Sequence, residues 1–399
     1  MTVTAPVRTP PPAGAGPSLP ERVETVARVA EAHAARTDRE AAFPAEALAA
    51  MRETGLLGLL VPVEYGGLGG SVGDLADASI RIGRADMSTA MIFAMHCQQV
   101  AGVAGHAGPA LRDTLLPEIA AGRCYLASVT TEAGKGGHLL SAEAGLTLAG
   151  EDDDLVIDRF APIVTGGAHA DGFLITLRSP GADSPTQVSL VHARRDQLDI
   201  TESGDWQPLG MRASHSVALR LTGRVPGHHV VGEHGRFSRI ATEVFGPLAH
   251  IGWSACWLGT ASGALSRVLT LMRGAGRGRF DLGSELLLSR LSRARQRLDS
   301  VHALLRHTEQ VFAGAADVSA PRVQLLLNAL KITASEQCLA AVEDLVDAVG
   351  LRHGYLKDSP TRLEAALRDL RSAALNYHND RLHLADGRLA LLDPEVRLV

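Results

Sequence analysis

Apolar positions recur every three to four residues in two long blocks of the chain, with a block of short β-branched runs between them. Val23, Val26, Val29 and Ala30 mark one helix face. A second helix is predicted from Phe43-Pro44, with Pro44 in its first turn, Leu48, Met51 and Leu56 on its apolar side, and Gly55 ending it. Leu56 to Gly70 reads as an extended apolar link with a glycine-rich turn. Those glycines do not follow a strand and open a helix, so a phosphate loop is rejected. Helix returns over Asp74–Ala104, with Ala90, Phe93, Ala94 and Cys97 on one side, and again over Ala110–Ala120. Between Tyr125 and Gly232 the character changes to short β-branched runs. Leu155–Ile157, Phe173–Leu177, Gln187–Val191 and Ser216–Leu221, separated by Gly, Pro, Asp and Ser, predict a small β-barrel or sandwich. Four long Ala/Leu-rich segments follow (Phe237–Gly274, Leu282–Ala313, Ala320–Val349 and Pro360–Leu392), as in an antiparallel bundle. The predicted class is α+β multidomain: a disordered tail (1–20), an N-terminal helical domain (21–122), a middle β domain (123–234) and a C-terminal four-helix bundle (235–399).

Charge and cysteine usage narrow the function. A net charge of -5 over 399 residues gives no basic field, which argues against nucleic acid and acidic membrane surfaces as partners. No apolar run is long enough to span a bilayer and no signal peptide is read, so a cytoplasmic location is expected. The four cysteines (Cys97, Cys124, Cys256, Cys338) lack zinc-site spacing and read as reduced, buried thiols. His228-His229 are taken as adjacent strand-end residues pointing to opposite faces, so no metal is predicted.

The candidate chemistry lies between Tyr125 and Gly172. Ser128–His138 and Pro162–Gly172 both end β-rich runs in hydroxyls and glycines, which suit a backbone approaching a planar, polar-edged cofactor. In chain order, Phe43-Pro44 through Gly67, Asp86–Ala90, Thr131–Gly137, Val164–Ala168 with Ala170-Asp171, Leu209–Ser214 and Arg277–Phe280 resemble the acyl-CoA dehydrogenase superfamily. The resemblance implies a non-covalent FAD between the β domain and the C-terminal bundle, in a homodimer or homotetramer. It implies that Thr131, with Gly137, reaches the pyrimidine edge of the flavin, and that Thr165, with Gly166, lies near N5. Arg277 would face the pyrophosphate of a neighbouring subunit's FAD, Phe280 its adenine end, and Gly350 the same dinucleotide. Their ordinary alternatives are a turn cap, a surface arginine and a helix C-cap.

The sequence departs from the superfamily at the catalytic base. Desaturation of an acyl thioester needs a carboxylate or similar base against the acyl chain. Counting on from Arg368-Asp369 reaches Tyr377 and His378, not a glutamate, and the alternative stretch His250–Trp257 has no carboxylate either. Three readings follow. The first is α,β-desaturation of a CoA or carrier-protein thioester with a relocated base, His378 first, then Asp380, with Glu132 as a loop support, and with an electron-transfer partner. The second is a flavin-dependent monooxygenase, with N- or C-hydroxylation through a flavin hydroperoxide, a flavin reductase as partner, and His96 together with His378 or His383 as donors. The third is a non-catalytic flavoprotein.

Overall fold

A computed structural model describes residues 16–134, 138–149, 154–274 and 276–399. The first helical layer comprises α1 (Leu19–Glu40), α2 (Ala45–Glu53), α3 (Val72–Ala85), α4 (Met87–His106) and α5 (Pro109–Ala120). The helix expected over Asp74–Ala104 is two helices. Asp86 leaves helical geometry and accepts the Thr89 N–H at 2.7 Å, capping α4 and turning the chain. Leu56 to Gly70 is not extended. It holds two 3-10 turns, Leu56–Gly58 and Val63–Tyr65, because the loop folds back so that Gly67 touches Val61.

The middle layer is a sandwich of two four-stranded sheets. Its strands are β1 (Leu126–Val129), β2 (Thr147–Ala149), β3 (Asp154–Ala161), β4 (Gly172–Arg178), β5 (Val188–Arg194), β6 (Leu198–Ser203), β7 (Ala218–Val225) and β8 (Val230–Val231). One sheet runs β1-β4-β5-β8 and the other β2-β3-β7-β6, with β1 and β4 parallel and the remaining pairs antiparallel. The β-branched runs all become strands. β1, Leu126-Ala127-Ser128-Val129, holds a single β-branched residue and so carries no such run. His228 and His229 sit on a 3-10 turn, Gly227–His229, not on a strand, and their rings meet at 4.9 Å. The opposite-faces argument therefore does not hold. His229 Nδ1 instead lies 3.2 Å from the His192 carbonyl oxygen.

The last layer contains α6 (Phe237–Ile240), α7 (Gly246–Arg273), α8 (Glu285–Gly314), α9 (Pro321–Gly354), α10 (Leu363–Leu370) and α11 (Asn379–Ala390). A π-helical turn, Ala241–Phe245, joins α6 to α7, and the Gln98 amide donates to the Phe245 carbonyl at 2.5 Å. The fourth bundle segment is broken. Residues 371–378 are non-helical and Tyr377 takes a φ of 51°, so α10 and α11 replace one long helix. One apolar core joins the layers: Met91 and Phe93 of α4, Val164 and Met211 of the β layer, and Trp257 and Ala373 of the bundle all belong to it.

Candidate active site

Two β-layer loops stand together at the edge of this core. The Thr131 hydroxyl donates to the Ile163 carbonyl at 2.7 Å, and Tyr125 donates from its hydroxyl to the Thr165 carbonyl at 3.3 Å. Between the two threonines the Ile163 side chain is 49% exposed, an apolar surface flanked by hydroxyls. Thr165 ends a relay in which Ser216 donates to Thr165 Oγ1 at 3.1 Å and Ser214 lies 2.8 Å from Ser216. The Thr165 oxygen is thereby occupied as an acceptor, so its own proton remains for donation outward. Thr131 is the reverse: its proton is spent on the Ile163 carbonyl and it accepts the Ile163 N–H at 3.4 Å, so one lone pair remains. An apolar step between one outward donor and one acceptor suits a flat ring with a polar edge, and a flavin ring fits that description.

Packing alone already requires a glycine at position 166. It has φ 59°, and a Cβ there would lie 2.6 Å from the Tyr125 hydroxyl and 2.8 Å from Phe43. The glycine thus serves the packing beneath the loop. Phe43 also stacks on His169 at 4.1 Å, which fixes the turn that follows. Gly137 lies outside the described residues.

Glu132 is held by the Glu143 and Ala144 N–H groups at 3.0 and 2.8 Å and by Arg159 at 2.9 Å. It supports its loop, as its position suggested. His96 is fully buried and both of its nitrogens are engaged. Leu126 N–H donates to Nδ1 at 3.0 Å, which leaves the proton on Nε2 facing the Leu57 carbonyl at 3.0 Å. Burial holds the imidazole down at about 4. Neither nitrogen is left for a substrate, so the geometry gives His96 the task of joining α4 to β1, not that of a donor.

The other base candidates surround the start of α11. Tyr377, His378 and Asp380 are exposed there. Beneath them lies a residue that pattern reading missed. Lys331 of α9 is fully buried, donates to Asn379 Oδ1 at 2.7 Å and to the Tyr377 carbonyl at 3.3 Å, and stands 5.8 Å from the Trp257 ring centroid. Burial lowers its ammonium to about 8. His250, on the facing helix α7, is held near 3 by burial and by the Lys331 charge. The signal available in the sequence was a single charged residue on the apolar stripe of Leu327, Ala334 and Cys338, and one of only three lysines in the chain.

A third group assembles elsewhere. Arg277 is exposed on a 3-10 turn, Phe280 contacts the His353 ring at 6.1 Å, and Gly350 breaks α9 with φ 69° and ψ -171°. That backbone conformation is nearly restricted to glycine, and open space lies where its Cβ would be. The structure thus brings Phe280 beside the α9 kink that Gly350 makes.

The Leu209–Ser214 loop links the β layer to the bundle. Met211 N–H donates to Asp369 at 2.6 Å, and Arg368 bonds both Asp38 oxygens at 3.0 and 2.7 Å and the Leu209 carbonyl at 3.0 Å. Burial pushes Asp369 up to about 7, and Asp86 and Asp38 add in the same direction.

Residues 21–123 match the acyl-CoA dehydrogenase N-terminal domain family. The acryloyl-CoA reductase (NADH) of Anaerotignum propionicum is 25% identical over 229 residues, 57% of this chain and 58% of that protein. The chain therefore spans less than two thirds of that relative. The L-evernosamine nitrososynthase of a Micromonospora strain is 27% identical over 347 residues, 80% of this chain and 77% of that protein. Among solved structures, TdsC of Paenibacillus sp. A11-2, a dibenzothiophene monooxygenase crystallised with FMN and indole, superposes with a TM-score of 0.84 at 20% identity, covering 96% of this chain and 98% of that one. At that identity the likeness shows the fold.

Proposed function

Because the chain belongs to the acyl-CoA dehydrogenase superfamily, we infer that it binds a flavin over the Thr131 and Thr165 loops and catalyses flavin-dependent monooxygenation of a small molecule. A separate reductase supplies the electrons, and oxygen is the co-substrate. The flavin, when bound, carries the redox chemistry. The chain's own residues orient it: Thr165 offers a fixed proton at the ring edge, Thr131 offers an acceptor, and Ile163 covers one face.

One observation carries the choice of reaction. Neither His250–Trp257 nor the position counted on from Arg368-Asp369, Tyr377 with His378, holds a carboxylate, Asp380 is exposed at the start of α11, and a buried lysine stands between Trp257 and the Tyr377 carbonyl. With its ammonium near 8, Lys331 is predominantly cationic at neutral pH. A cation opposes its own use as a base toward a carbon acid and favours an oxyanion beside it. The names of two similar proteins, a nitrososynthase and a dibenzothiophene monooxygenase, accord with oxygen chemistry and support the reading.

Arg277, Phe280 and the Gly350 kink form the surface that meets a dinucleotide tail, and a homodimer or homotetramer brings a neighbour's cofactor to it. The test of the reaction class is anaerobic mixing of the flavin-loaded protein with butanoyl- and octanoyl-CoA. The flavin absorbance is expected to persist, with oxygen consumed only when reduced flavin is supplied. Rapid bleaching by either thioester would establish desaturation instead.

A further inference from the structure

The loop that carries Thr165 is paired to a strand with one residue too many. Val164 N–H donates to the Val217 carbonyl at 3.1 Å, and Gly166 N–H to the Ser214 carbonyl at 2.9 Å. The donors are two positions apart and the acceptors three, so the pairing slips by one residue, as in a β-bulge. His215 takes the extra position, left-handed at φ 42° and ψ 55°, just after the 3-10 turn Arg212–Ser214. That conformation is free of cost only for glycine. The slip serves the site: Ser216 is set where its hydroxyl reaches Thr165 Oγ1 at 3.1 Å, with Ser214 2.8 Å behind it.

Glycine would meet the demand of the backbone without strain, so a histidine there marks a use for its ring. The His215 ring stands edge-on to the His169 ring at 5.5 Å, and His169 stacks on Phe43 at 4.1 Å. Phe43 in turn lies 6.3 Å from Tyr125, whose hydroxyl holds the Thr165 carbonyl at 3.3 Å. Thr165 is therefore gripped at both ends, its hydroxyl through the bulge and its carbonyl through Tyr125. The row His215, His169, Phe43 and Tyr125 joins the two grips. His169 belongs to the turn that follows Thr165, its N–H donating to the Gly166 carbonyl at 3.0 Å. It is exposed and His215 is half-buried, so the pair exchanges protons with solvent.

We propose that His215 is a positioning residue for the flavin: its left-handed backbone aims Ser216 at Thr165, and its ring, against His169, makes that hold give way in acid. The inference rests on the reading that Thr165 meets the flavin edge. Two imidazolium ions in edge contact repel, so the row of rings stays intact only while one of them is neutral. Desolvation and His215 hold His169 below the ordinary imidazole range, with Glu202 of β6 opposing and Arg195 adding to the effect. Around the 3-10 turn stand Arg212, which binds the Asp38 and Arg39 carbonyls, and Asp369, which holds the Met211 N–H with Asp86 of the α4 cap near it. A histidine kept neutral by the intact state stabilises it fully above the ordinary imidazole value, and that stability is lost as pH falls through the lower folded one. Flavin affinity follows the same course, high at pH 8 and reduced at pH 5.

The test is fluorescence titration with FAD at pH 8, 6.5 and 5, a range in which FAD itself does not titrate. Wild-type affinity is expected to fall about tenfold from pH 8 to pH 5, and less than about threefold in His169→Gln, where no second imidazole remains to charge. Because Asp369 also titrates, near 7, the difference between those two profiles is the readout. At pH 8, His215→Val should lose about tenfold, since a β-branched residue resists φ 42°, and His215→Asn, which tolerates it, at most about threefold. A flat wild-type profile, or a His169→Gln profile as steep as wild type, overturns the acid-sensitive hold. Equal losses in His215→Val and His215→Asn overturn the part given to the bulge. Should His215→Val fail to fold, the two pH profiles and His215→Asn decide. Absence of any flavin binding at pH 8 would remove the reading of Thr165 and this inference with it, whereas binding at pH 8 with one of the contrary results overturns this inference alone.

Discussion

Replacing Asp369 by asparagine should remove a pH-dependent burden from the joint between the β layer and the bundle. The carboxyl is half-buried at this joint, and desolvation there raises its folded value to about 7 against an ordinary 3.8. A carboxyl raised in this way holds its proton more tightly in the folded state than in the unfolded one. Its contribution to stability is therefore complete below pH 3.8, declines as the pH rises, and is lost above about 7. The difference between the two values corresponds to on the order of 4 kcal/mol. Asparagine stays neutral and keeps an oxygen to accept the Met211 N–H, which now bonds Asp369 at 2.6 Å. Urea denaturation of both proteins at pH 4.5, 6 and 8, followed by tryptophan emission, measures the effect. A layered chain need not unfold in one step, so the readout is the difference between the two proteins on the same transition. Near-equal stability is expected at pH 4.5, with Asp369→Asn ahead by several kcal/mol at pH 8, a figure bounded by the roughly 4 kcal/mol above. A constant offset at all three pH values, or a variant less stable at pH 8, would refute the reasoning.

Other substitutions separate structural from chemical roles. His96→Phe strands the Leu126 N–H and the Leu57 carbonyl and should cost about 2–4 kcal/mol, while the folded fraction keeps its activity per bound flavin. Lost activity at unchanged stability would restore a catalytic role. Arg277→Ala should weaken FAD binding at least tenfold and leave FMN binding unchanged, as read by fluorescence titration; equal losses would place Arg277 away from any dinucleotide tail. Gly350→Ala should cost about 1–3 kcal/mol through backbone strain alone, because no neighbour stands where the Cβ would go. Thermal melts check this, and an unchanged melting temperature would mean that α9 straightens without penalty.

What the sequence made legible follows from locality. Helices and strands with one wet face, such as β3 and β7, announce themselves by period, and the two hydroxyl loops by composition. The Asp86 break was harder because the apolar stripe continues across it while only a side-chain cap, Asp86 to Thr89, turns the chain. Residues 371–378 are rich in helix formers, and tertiary contacts break the helix there: Asn379 and the Tyr377 carbonyl are tied to Lys331. His96 looked chemical because a histidine in an apolar helix has no visible partner, and both of its partners are backbone groups 30 and 39 residues away. Lys331 was overlooked for the opposite reason: its meaning lies in Trp257 and Asn379, which meet it only in the folded bundle.

The central claim is that a flavin ring rests between Thr131 and Thr165, and equilibrium titration of flavin-free protein with FAD and FMN tests it most directly. The account predicts one flavin per chain with a shifted visible band. It also predicts about a tenfold loss of affinity in Thr165→Ala that Thr165→Ser restores, the worth of one hydrogen bond to the ring edge. No saturable binding of either flavin, or binding indifferent to both Thr165 and Thr131, would contradict it.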